Sequence, residues 1–346
     1  MRGVTDRPFQ LNFFCHQRPQ IEPGAAARAR ERVAPLEHGV RDRLHVLGRS
    51  PRWHSGILRV VSGDGQAARR PYSSSPRPTF EGPALISAHT VTRHVWGDEE
   101  SGEVADWIFA STDRIHCLVF GLAPGGSFTH SREYRTIFGA DEVLTVLSGT
   151  LVLANPQAGE VRRVETGQSV TFGADTWHHA FAHGPEALRV LEFLAPPPSA
   201  GTTGAHAQTR DYLENSSYAD DELLGTWPQV GGHTPTLSVV RDEDIVWRRD
   251  LGALVGVLSS TRHLTAMRVE LNPGQISRIH SHGGDELIYV THGTLHVRAW
   301  FEETGSVFEL SPGDACYVPQ GAAHLYANYG SAMARAVKGV APTYLP

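Results

Sequence analysis

From about residue 84 onward the chain is written in short apolar runs bounded by glycine, proline and aspartate. Examples are IHCLVFGL (115–122), EVLTVLSG (142–149), TLVLANP (150–156) and SVTFG (169–173). Runs this short, set between turn formers, predict strands, and many in series predict an all-β barrel or sandwich. The texture breaks at 195–205, where proline, glycine and small residues accumulate, and resumes near 236. The first 80 residues differ. Val33, Leu36, Val40, Leu44 and Leu47 recur at helical spacing and predict one amphipathic helix over about 30–47. The stretch 69–78, rich in arginine, proline and serine, reads as flexible linker. The expectation is an N-terminal arm over 1–80, partly helical or disordered.

The two β regions repeat each other. Gly139–Glu142 (GADE) matches Gly283–Glu286 (GGDE), and a glycine follows seven residues after each glutamate, at Gly149 and Gly293. Gly167 and Gly313 then open the strands that lead to His178 and His324. Ala123-Pro124-Gly125 pairs in the same order with Asn272-Pro273-Gly274. Ordered landmarks of this kind predict two barrels of one type. They span 84–197 and 236–346, with 198–235 as linker.

The second region carries a metal-ligand pattern. His280 and His282 are two apart, so on a strand both rings face one side. Glu286 follows past a Gly-Gly turn, and the turn Pro319–Gly321 delivers His324. Three imidazoles and one carboxylate suit Fe(II), Mn(II), Co(II), Ni(II), Cu(II) or Zn(II) better than Ca(II) or Mg(II). In an octahedral ion such a set leaves two positions open, whereas a structural zinc is normally closed. Burying these donors unpaired in a metal-free barrel would be costly. Arg278 has the strand parity of His280, which would aim it inward as a carboxylate clamp; a barrel-mouth surface arginine is the alternative. His296 and Arg298 share a face on the next strand, and either they or Leu295, Val297 and Ala299 line the interior. Cys316 and Tyr317 face opposite ways, one of them towards the metal, and Tyr326 is a further neighbour.

In the first region the pattern is degraded. Thr136 and Phe138 stand where His280 and His282 stand in the second. Glu142 survives, and His178 or His179 falls at the His324 position. His130 lies in a lengthened segment and could complete a His130–Glu142–His178 set only through a loop or bulge. A scaffold barrel without metal is the preferred reading.

Gly274, His280, His282, Glu286 and Gly293, followed by Gly313, Pro319, Gly321, His324 and Asn328, satisfy both halves of the cupin signature without a departure. The two-region layout over about 85–346 resembles a bicupin, a group that includes gentisate dioxygenases, oxalate decarboxylases and seed storage globulins. The resemblance implies two double-stranded β-helix (jelly-roll) barrels and one divalent ion on His280, His282, Glu286 and His324. It implies first a non-haem Fe(II) dioxygenase acting on a small polar or aromatic molecule, with O₂ at a remaining position and Arg278 as substrate anchor. An O₂-independent decarboxylase, lyase or isomerase using Mn, Zn or Ni is the alternative, and a non-catalytic small-molecule binder the third. One departure stands against gentisate dioxygenases, which resemble this chain in layout but carry the metal set in the first barrel.

Charge changes the picture little. Residues 1–80 hold fourteen arginines against six acidic residues, a balance of +8, which leaves −14 of the total −6 for the rest. A basic arm can bind nucleic acid, yet no reading motif accompanies it, and no nucleic-acid partner is expected. Lys338 is the only lysine in the chain. No apolar stretch reaches eighteen residues, so no membrane span is expected. Three dispersed cysteines (Cys15, Cys117, Cys316) give no disulfide framework and suit a reducing cytoplasm. An exposed barrel edge would suit a homodimer.

Overall fold

The computed structural model describes residues 75–129, 131, 136–198, 207–209 and 235–346. All belong to the unit Ser62–Pro346. The helix expected over 30–47 lies outside the described residues, as does His130. Among the described residues the fold is all β, with one 3-10 turn at Asp242–Asp244.

Two seven-stranded sheets dominate. In the first barrel the neighbours run Ser238–Val240, Ser169–Phe172, Asp141–Ser148, Leu188–Ala195, His116–Leu122, Gly102–Ser111 and Thr92–Asp98. In the second they run Ala84–Ile86, Ala315–Val318, Asp285–His292, Ala334–Ala341, Thr265–Leu271, Ala253–Ser260 and Val246–Asp250. A smaller sheet faces each: four strands around Thr150–Asn155 in the first barrel, and three around Leu295–Phe301 in the second.

The boundary strands are exchanged. Ala84–Ile86, which precedes the first barrel in sequence, pairs with Ala315–Val318 of the second. Ser238–Val240, which precedes the second, pairs with Ser169–Phe172 of the first. Boundaries at 84 and 236 assign each strand to the barrel it precedes, whereas in space each caps the open sheet edge of the other. Covering an edge satisfies its backbone groups and ties the halves together.

Alternation explains why the long strands read as unbroken apolar runs. Leu144 and Leu194 point into the first barrel's core, and Ile288 into the second's. Their neighbours Val143, Phe193 and Leu287 point the other way, into a cluster shared by the two large sheets. The central strands of each large sheet are therefore buried on both faces, the condition that produces continuous hydrophobic strands. Phe193 is fully buried there, and Gly339 of the second barrel makes room for it: a Cβ at Gly339 would lie 2.5 Å from the Phe193 ring. The repeated glycine after each glutamate has a similar steric cause. Gly293 adopts φ +70°, and a Cβ there would meet the Met333 carbonyl oxygen at 2.3 Å.

Candidate metal centre

Glu286 lies on the strand Asp285–His292 with the same parity as Ile288, which aims its carboxylate into the second barrel. His324 comes from the facing strand Ala323–Ala327. His280 joins that strand through one isolated bridge, its N–H donating to His324 O at 2.9 Å and its carbonyl oxygen accepting from His324 N–H at 2.8 Å. His282 follows on a loop whose carbonyl accepts from Gly321 N at 2.9 Å. Donor atoms of His280, His282, Glu286 and His324 all lie within 4.8 Å of one another. His282, Glu286 and His324 are buried, and His280 is half-buried at the mouth.

Each ring is oriented by a backbone carbonyl. His280 Nδ1 lies 2.8 Å from Arg278 O, His282 Nδ1 2.7 Å from Tyr344 O, and His324 Nδ1 3.0 Å from Ala322 O. A carbonyl accepts only, so each Nδ1 carries the hydrogen and each Nε2 presents a lone pair. Those lone pairs meet acceptors. His282 Nε2 is 3.1 Å from Glu286 Oε2, and His324 Nε2 is 3.5 Å from Oε1. Nε2 of both His280 and His282 is buried without a hydrogen-bond partner. Acceptors facing acceptors in a dry interior call for a proton or a metal cation among them. The set therefore fits a divalent ion.

Electrostatics agree. Burial, then the neighbouring His324, pushes His280 down to about 3, so its ring is neutral and able to ligate at neutral pH. Burial alone would raise Glu286, but the Lys338 ammonium and then His324 outweigh it and hold the carboxyl well below its usual range. Burial, then Glu286, pushes the Tyr326 phenol up, so it stays protonated and donates to Glu286 Oε1.

Lys338 is the residue that the pattern of histidines did not reveal. The chain's only lysine is 1% exposed, and its Nζ donates to Glu286 Oε2 at 3.1 Å and to Tyr326 Oη at 3.1 Å. The signal was available: a charge inside the apolar strand ARAVKGVA (334–341) must have a buried partner.

Other expectations divide. The inward placement of Arg278 does not hold. Residues 277–279 form no strand, so parity fails; Ser277 is buried and Arg278 exposed, and Arg278 serves His280 through its carbonyl oxygen. On the strand Leu295–Phe301 it is Leu295, Val297 and Ala299 that fill the core, while Arg298 is exposed and His296 Nε2 lies 3.2 Å from Glu309. Cys316 faces the second barrel's core, and Tyr317 faces the cluster between barrels, 5.3 Å from the Phe80 ring. In the first barrel Glu142 and His178 come together, joined by Glu192, with donor atoms within 4.8 Å of one another. Phe138 is buried in the core there.

Residues 118–194 and 267–338 each match the cupin domain family. The chain therefore carries two cupin domains in tandem, one in each barrel. Among solved structures it is similar to a Lactobacillus farciminis oxalate decarboxylase in complex with formate, at 15% identity over 80% of this chain and 89% of that one (TM-score 0.54). A point variant of Bacillus subtilis oxalate decarboxylase matches at 14% identity over 78% and 79% (TM-score 0.55). A further structure of the Bacillus subtilis enzyme, described by its Mn(II) centers, matches at 14% identity over 78% and 79% (TM-score 0.52). No curated protein matches the chain.

Proposed function

We propose that the second barrel is the active site of a metal-dependent enzyme acting on a small anionic molecule without consuming O₂, with decarboxylation as the reaction class. The observation that carries this reading is the buried ammonium of Lys338 beside the converging donors. Glu286 contributes one negative charge and Lys338 cancels it, so a divalent ion there would retain its full double positive charge. Such a centre attracts anions strongly in a low-dielectric site. The structural likeness to oxalate decarboxylases supports the same substrate class, and Mn(II) as one candidate ion beside Fe(II), Co(II), Ni(II), Cu(II) and Zn(II).

A bound divalent ion would supply Lewis-acid stabilisation of negative charge on a substrate oxygen. The chain's residues do the rest. Three backbone carbonyls fix the imidazole tautomers and so preorganise the ligand lone pairs. Tyr326 and Lys338 hold the Glu286 carboxylate from both oxygens. The half-buried His280 and the exposed Arg278 belong to one segment at the mouth, where the guanidinium can meet an incoming carboxylate. An Fe(II) dioxygenase would use the same ligands, and no observation favours it over the oxygen-independent reaction.

The test is a turnover screen of protein reloaded with Mn(II) or Fe(II), over small mono- and dicarboxylates, diketones and hydroxylated aromatic acids, following CO₂ and O₂ together. The expected result is CO₂ release from one anionic acid with no net O₂ uptake. One O₂ consumed per substrate would establish the dioxygenase instead, and ligand binding without turnover would make the barrel a binding module.

A further inference from the structure

The first barrel buries a pair of carboxylates that the proposed reaction does not use. Glu142 and Glu192 are 1% and 7% exposed. One oxygen of each lies within 4.8 Å of the other and of a ring nitrogen of His178. Both Glu142 oxygens are buried without a hydrogen-bond partner. Besides burial, the groups acting on Glu142 are Glu192 and Asp141, both acidic, and all push its carboxyl up. Two carboxylates this close in a dry interior cannot both stay ionised unless a cation lies between them.

Comparison of the barrels shows how this arises. In the second barrel Glu286 is in register with Val340 and Ile288 with Lys338. In the first, Glu142 is in register with Leu194 and Leu144 with Glu192. Glu192 therefore occupies the place of Lys338. Where the second barrel meets its glutamate with a built-in ammonium, the first meets its own with another carboxyl, so any balancing positive charge has to come from solution. His178 is set like its counterpart: its Nδ1 lies 3.2 Å from Thr176 O, as His324 Nδ1 lies 3.0 Å from Ala322 O. A cavity of about 60 Å³, lined by Trp96, Phe120, Phe138, His178 and Glu192 among others, adjoins the group. That is room for about two waters.

We propose that Glu142, Glu192 and His178 form a structural divalent-cation site in the first barrel, with a donor set different from that of the second. Neither of the first two histidines of the cupin motif takes part, because Thr136 and Phe138 stand at their positions. Glu192 enters instead from the strand Leu188–Ala195. Two carboxylates and one imidazole are a harder set than three imidazoles and one carboxylate, which favours Mn(II) or Fe(II) over softer ions. The charges also differ in sum. Two carboxylates and a divalent ion cancel, which suits a cavity whose other wall is apolar except for Asp106, a carboxyl that burial and then Glu192 push up to about 8, whereas the second barrel keeps a net positive centre. The first barrel is built to hold an ion, and the second to present one.

The experiment is Mn(II) titration of the metal-stripped full-length chain, with free Mn(II) read by electron paramagnetic resonance and unfolding followed in parallel. Wild type is expected to bind two ions per chain. The folded double variant His280→Ala/His324→Ala should keep one, and Glu192→Gln should also keep one. Glu192→Lys imports the ammonium of the second barrel; it should melt in chelator no lower than wild type and bind one ion, which gives a reading even where Glu192→Gln fails to fold. A folded double variant that binds none would overturn the site. So would a Glu192→Gln protein that binds as many ions as wild type but melts higher in chelator, the behaviour of a carboxyl pair sharing a proton.

Discussion

Lys338→Met is expected to destabilise the metal-free protein by about 3–5 kcal/mol, the cost of removing one partner from a buried ion pair, and the metal-loaded protein by much less. Lys338 and Glu286 are each 1% exposed and 3.1 Å apart, so solvent cannot replace the lost ammonium. A divalent ion can, because Glu286 Oε2 also lies 3.1 Å from His282 Nε2, inside the donor cluster. Ammonium and ion then compete for one carboxylate, and the variant should bind the ion more tightly than wild type. Denaturant unfolding in chelator and in saturating Mn(II) measures both effects. Equal destabilisation in the two conditions would mean that Glu286 belongs to Lys338 alone and is no ligand.

His324→Ala should lower divalent-ion affinity in the second barrel by on the order of a hundredfold or more, since loss of a mere orienting partner already costs about 10–100-fold. His324 is 1% exposed, its Nδ1 is held by Ala322 O, and its backbone anchors His280 through a reciprocal pair of hydrogen bonds. The substitution removes one donor while those backbone bonds persist, so the fold and the placement of His280 survive. Competition against a chromophoric chelator gives the affinity. An unchanged value in a protein that unfolds cooperatively would remove His324 from the ligand set.

Much of this centre is legible in the sequence because its information is local. His280-x-His282 and Glu286 fall within seven residues, and His324 is delivered by a Pro-Gly turn that announces itself. The repeated glycines are legible for a similar reason: Gly293 and Gly149 mark tight positive-φ turns that a side chain would obstruct. What escapes is whatever depends on pairing across the sheet. Parity places Arg278 inward only if the strand is continuous, and two isolated bridges, at Ile276 and His280, replace that strand. Lys338 reaches Glu286 from 52 residues away, across a strand register that no local pattern encodes. Glu192 is hidden in the same manner, inside an apolar run whose register with Leu144 only the folded sheet reveals. The exchange of Ala84–Ile86 and Ser238–Val240 between barrels is likewise a property of two open edges finding the nearest free strand. Both charges could still have been noticed, since a charge flanked by buried apolar residues within a strand requires a partner.

The most direct measurement is an anomalous difference map at the manganese edge, from crystals of the chain grown with Mn(II). A strong peak is expected in the second barrel, bonded to Nε2 of His280, His282 and His324 and to the carboxylate of Glu286. An empty second barrel at saturating Mn(II), with these four side chains turned to separate hydrogen-bond partners, would contradict it.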